Sequence, residues 1–169
     1  MTRTLGALAV LLACAPVVAD VRIGEIMYHP VSGERFEFVE LVNDGAADVV
    51  LDDWSLTQGV DFTFPPESVI GPGGFAIICG SRAYFFSAYP EVFSAFVFGE
   101  YEGRLDNGGE RLTLADADDQ VVETVRYDDN PPWEFLADGF GASLERLCLT
   151  SAADRSENWR ASPVPADPE

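Results

Sequence analysis

The chain has no lysine: all ten basic residues among its 169 are arginines, set against 29 carboxylates for a formal charge of -19. A surface of that sign repels phosphate backbones and anionic headgroups, which argues against direct nucleic-acid binding. Histidine is nearly absent too; His29 stands alone, with Pro30 directly after it. One imidazole and three cysteines, Cys14, Cys79 and Cys148, provide no Cys/His set for zinc. A Ser-His-Asp triad would need His29 as its base, and no GxSxG elbow supplies the nucleophile. His29 therefore reads as a polar strand-end residue. Beyond residue 20 no apolar run is long enough to cross a bilayer as a helix.

What is present begins with an export signature. In MTRTLGALAVLLACAPVVAD, Arg3 gives a positive start, Leu5 to Ala13 an apolar run, and Val17-Val18-Ala19 a small-residue cleavage site. Residues 1–19 thus read as a secretory signal peptide, which predicts a secreted, extracellular or periplasmic protein. Leu11-Leu12-Ala13-Cys14 also resembles a lipoprotein box. If the signal ends before Cys14, lipidation of that residue would hold the protein at the bacterial cell surface or outer membrane. Either processing leaves Cys79 and Cys148, each ending an apolar strand-like run, GFAIICG and SLERLCL. In an oxidising compartment they are a disulfide candidate, worth up to about 4 kcal/mol for so long a loop; two buried free thiols are the alternative.

From Val21 onward short apolar runs alternate with Gly, Pro, Asn and Asp. VRIGEIMYHP, ERFEFVELVN, VVLDDWSLT, VDFTFPP, GFAIICG, AFVFG, ERLTLAD, QVVETVRYDD and SLERLCL read as strands. SRAYFFSAYPEVF opens on Ser81 as a cap, carries Tyr84, Phe85 and Ala88 at helical spacing, and stops at Pro90; it predicts a short helix crossing from one sheet edge to another. Many short strands and no long helices predict an all-β sandwich over 21–150. A polar, Pro-rich extension follows over 151–169, with Trp159 near the core and a loose tail.

Several stretches together resemble the lamin-tail domain. They are IGEIMYHP, FEFVELVN, LDDWSLTQGVDFTFPP, VIGPGGFAII and GRLDNGGERLTLADADDQVVETVRYDD, followed by PPW, SLER and NWRAS. The resemblance implies an immunoglobulin-like β-sandwich and, in the bacterial secreted branch of the family, a non-catalytic exported module for binding, adhesion or cell-surface organisation. An accessory domain or weak hydrolase with an acidic, calcium- or glycan-binding site is the alternative. The implied partner is a protein or a glycan, with a membrane surface involved only if Cys14 is lipidated.

Candidate site residues are few. Glu25, Glu37 and Glu40 lie in strand-like runs; Glu37 shares a face with Val39 and Leu41, and Glu40 shares one with Phe38 and Val42. If both faces are packed, at least one must pair or bind a cation, and Arg22, Arg35, Arg126 and Arg146 are available. Trp54, Trp133 and Trp159 read as core-closing residues, Trp133 being the best candidate for a sugar platform because NPPW is a rigid loop. The acidic stretch LDNGGERLTLADADDQVVETV fails the EF-hand pattern. From Asp106 the third position is Gly108; from Asp116 the sixth is Val121 and the twelfth Tyr127. It reads as an Asn107-Gly108-Gly109 turn, a strand, and a DADDQ hairpin turn. No cofactor is implied; calcium is the ion that Asp116, Asp118 or Asp119 could hold at an irregular site.

Overall fold

The structure, a computed structural model, describes residues 21–162. The expected signal peptide over 1–19, with Cys14, and the end of the tail lie outside the described residues. Strands run β1 (Val21–Met27), β2 (Phe38–Asn43), β3 (Val49–Val50), β4 (Ser55–Thr57), β5 (Val60–Thr63), β6 (Val69–Ile70) and β7 (Phe75–Cys79). After the helix α1 (Arg82–Ala88) come β8 (Val97–Glu100), β9 (Glu102–Gly103), β10 (Arg111–Ala115), β11 (Val121–Arg126), β12 (Leu144–Arg146) and β13 (Trp159–Ala161).

They assemble as a six-stranded sheet in the order β13-β12-β1-β2-β7-β8 and a five-stranded sheet in the order β11-β10-β4-β5-β9, with β3 and β6 forming a short ribbon. Side-chain alternation dictates the layers. Val39 and Leu41 of β2 and Leu112 and Leu114 of β10 are fully buried in one core with Ile23, Ile26, Ile78 and Val125. Burying each such side chain is worth about 1.5–3 kcal/mol. Trp54 and Trp159 are buried in the same core. The result is an immunoglobulin-like β-sandwich with one short α-helix among the described residues.

α1 is a crossover between parallel neighbours, β7 and β8, within the six-stranded sheet. It lies on the outer face of that sheet, where Phe85 packs with Met27, Phe38, Ile77, Cys79 and Val97 in a second core. Ser81 precedes the helix in extended conformation and makes no side-chain cap bond. No helix among the described residues is long and apolar enough to cross a membrane.

The expected Cys79–Cys148 disulfide does not form; both thiols are free, Cys79 buried and Cys148 exposed. Strand order is the reason. β7 and β12 are separated by β1 and β2, which places them about 14 Å apart at the usual strand spacing, twice what a disulfide can bridge. Cys79 turns outward under α1 and its thiol donates to the Gly99 carbonyl at 3.5 Å. Cys148 lies beyond the end of β12, beside the Thr150 hydroxyl at 3.3 Å.

Candidate functional site

A concave site of about 460 Å³ opens at the β11 edge of the five-stranded sheet, lined by Arg111, Thr124, Arg126, Asp128, Trp133 and Asp154. In β10 and β11 the alternation that sends Leu112, Leu114 and Val125 inward sends Arg111, Thr113, Thr124 and Arg126 outward. Arg111 sits directly opposite Arg126, and Thr113 opposite Thr124, whose hydroxyls are 3.3 Å apart. Like charges directly opposed across a ladder are destabilising. Neither guanidinium has an ion-pair partner among the described residues.

The wall is the loop after β11. Asn130 donates its side-chain N–H to Asp128 Oδ1 at 2.9 Å and to Asp129 Oδ1 at 2.6 Å, and its backbone N–H to Asp128 Oδ1 at 2.9 Å. These bonds hold the Asp128 carboxyl below the usual carboxylate range, with Arg126 adding attraction. The Trp133 backbone N–H donates to the Asn130 carbonyl at 3.1 Å. Half-buried Trp133 rests on Trp159, with ring centroids 6.3 Å apart.

A second concavity of about 230 Å³ is lined by His29, Pro30, Val31, Gly33, Glu34, Glu37, Arg104 and Asn107. His29 Nδ1 lies 2.7 Å from Asp138 Oδ1, and Gly139, at φ +77, brings its backbone flat against the imidazole. A side chain there would press on the ring. Glu37 is buried, and its Oε2 accepts from the Tyr101 hydroxyl at 2.9 Å and the Leu105 amide at 2.8 Å. Burial pushes its carboxyl up to about 7 against those two bonds. The carboxylate thus tethers the loop before β10 to the start of β2.

The other acidic residues lie elsewhere. Glu25 is opposite Glu145 on one side and Glu40 on the other, a row across the outer face of the six-stranded sheet. The Ser143 hydroxyl donates to Glu25, and Arg160 donates to Glu145 at 2.8 Å. Burial raises Glu25, and burial followed by repulsion from Glu25 and Glu145 pushes Glu40 up to about 7. Arg146 goes instead to Glu123, at 3.3 Å.

Asp116 Oδ1 accepts the backbone N–H groups of Asp118 at 3.0 Å and Gln120 at 2.9 Å, closing the β10–β11 hairpin, and Asp119 takes a positive φ of 59. Among the described residues no group of three or more His, Cys, Asp or Glu is gathered to hold a metal. The Asn107-Gly108-Gly109 turn shows why glycine is needed: Gly109 has φ +95, and a Cβ there would lie 2.5 Å from Asp128 Cα.

Sequence reasoning singled out Trp133, offered Arg126 only as a partner for Glu25, Glu37 or Glu40, with none of which it pairs among the described residues, and did not name Arg111. The signal for the two arginines lies in the alternation of β10 and β11, which fixes both on the outward face once the hairpin register is known.

The sandwich thus places a small site of paired arginines, two carboxylates and an aromatic ring at one strand edge, on an immunoglobulin-like frame. The Lamin Tail Domain family profile matches residues 15–129, and the chain belongs to that family. No curated protein matches it. PPW, SLER and NWRAS lie beyond the matched span, yet SLER and NWRAS supply β12 and β13, which complete the six-stranded sheet.

Proposed function

We propose that this chain is an exported, non-catalytic binding module of the bacterial secreted branch of the Lamin Tail Domain family, its mature form beginning at Asp20 or at lipidated Cys14. The observation carrying the binding reading is the site around Arg111, Arg126 and Trp133: two guanidiniums that make no hydrogen bond or ion pair among the described residues, two carboxylates and an aromatic ring in one concavity, the composition of a recognition surface. Export is supported by the leader-like residues 1–19.

The hydrolase alternative needs a concave acidic site holding several of Glu25, Glu37, Glu40 and Asp116. Glu25 and Glu40 stand in the row on the six-stranded sheet, Asp116 closes the β10–β11 turn, and Glu37 alone of the four lines the concavity beside His29. Among the described residues the lining of that concavity includes no hydroxyl or thiol side chain, and Glu37 is bonded to Tyr101 and Leu105. An anchoring role accounts for it. The test is fractionation of the native host with mass spectrometry of the mature N-terminus. Cleavage after Ala19 is the expected result for a released protein, and a diacylated Cys14 for one held at a membrane surface. Full-length chain retained in the cytoplasm would overturn export.

A further inference from the structure

We propose that the pocket of Arg111, Arg126 and Trp133 binds an acidic saccharide, a pyranose ring carrying a carboxylate. The proposal deepens the binding-module reading and rests on it.

The arginines argue first. In a chain with no lysine, every other arginine among the described residues reaches an ion pair or a side-chain hydrogen bond with the protein. Arg111 and Arg126 do neither, and they face each other on adjacent antiparallel strands. Strand neighbours so placed stand about 5 Å apart, near enough for both guanidinium forks to close on one carboxylate. A carboxylate held between them would offset the like-charge repulsion of two directly opposed guanidiniums.

The remaining groups choose among anions. Asp128 and Asp154 line the same pocket, and their carboxylates accept hydrogen bonds from hydroxyl groups, which a sugar supplies and an acidic peptide side chain or a phosphodiester does not. Asn130 fixes Asp128 for that role. Thr124 adds a hydroxyl, and half-buried Trp133 supplies a flat ring on which the C–H face of a pyranose packs. A volume of about 460 Å³ lies within the range of small-molecule sites, roughly 300–1,000 Å³. Carboxylate, hydroxyls and an apolar ring face together describe a uronic-acid sugar.

The test is a titration of the mature chain with trigalacturonate, read by tryptophan fluorescence. Trp54 and Trp159 are buried, so Trp133 dominates the response. The expected result is a saturable change with trigalacturonate and none with neutral maltotriose or an Asp/Glu-rich peptide. Arg111→Gln and Arg126→Gln should each weaken binding about tenfold, with melting temperatures unchanged or slightly raised because a like-charge contact is lost. Trp133→Phe, read by calorimetry, should also weaken binding while keeping the packing on Trp159. Equal binding of maltotriose or of the peptide would overturn the proposal, as would an unaffected double arginine variant or no saturable response. A large fall in melting temperature in the arginine variants would assign them a structural role instead. Fractionation fails separately: cytoplasmic retention removes export without touching the titration, whereas an exported chain that ignores trigalacturonate removes the ligand class alone.

Discussion

Cys79 and Cys148 carry the same thiol in opposite surroundings. Burial under α1 pushes Cys79 up to about 12, helped by the nearby Glu100 carboxylate. Cys148 is exposed, and hydrogen bonds from Ser151 and then Thr150 bring it down to about 7. The thiolate is the nucleophile, so accessibility and acidity point to the same residue. The folded chain beginning at Asp20, which lacks Cys14, should gain one adduct with iodoacetamide at pH 8, at Cys148, and a second only on denaturation; intact-mass spectrometry reads both. Cys148→Ser should abolish native labelling, and a chain that resists alkylation even when unfolded without reductant would restore the disulfide. The sequence placed both cysteines at the ends of apolar runs, which is nearly right for each alone. Pairing depends on strand order, and nothing within GFAIICG or SLERLCL encodes which strands lie between them.

Elements are joined where β11, β1 and β12 meet, and Arg146 holds that junction. Its side chain is fully buried and pairs with Glu123 of β11 at 3.3 Å. It also donates to the Ile23 carbonyl of β1 at 3.2 Å and to the Ser151 carbonyl, and its guanidinium lies 5.3 Å from the centre of the Trp159 ring. Glu123 in turn accepts the Ile23 amide at 2.7 Å. Replacing one member of such a buried pair strands the other charge, so Arg146→Met should cost about 3–5 kcal/mol. Arg160→Gln, which breaks the more exposed pair with Glu145, should cost under about 1 kcal/mol. Chemical denaturation compares them; similar losses would contradict the clamp. The β10–β11 hairpin shows what was legible at this scale. Its Asp-rich turn and its alternation could be read directly. A one-residue register shift between Leu114 and Ala115 could not, and it decides the site. Counted straight back from Ala115 opposite Val121, Arg111 would face Val125; the bulge brings it opposite Arg126.

Across the whole molecule the carboxylates outnumber the arginines so heavily that folding gathers acids together, and the stability of the sandwich should depend on pH in an uncommon direction. Glu37 is desolvated beneath the loop before β10, and Glu40 is desolvated beside Glu25 and Glu145; both are pushed up to about 7, and Glu25 is raised as well. A carboxyl whose pKa rises on folding makes the native state bind protons more tightly than the unfolded chain. Its contribution is therefore full below the unfolded value of 4.5 and is lost as pH climbs through the folded one. Stability should fall between about pH 4.5 and 7, by a total on the order of 2–4 kcal/mol for partly buried, mutually coupled groups. Melting temperatures taken from pH 8 down to 5 should rise, the reverse of a protein whose acids are mostly salt-bridged. Glu40→Gln should flatten the slope by removing one of the titrating groups and by relieving Glu25. It should also raise stability at pH 8, where the wild-type carboxylate is charged at the end of a row that runs through Glu25 to Glu145. A flat profile, or one that falls toward pH 5, would mean that the acidic row is solvated and that the sandwich does not hold these carboxyls as described.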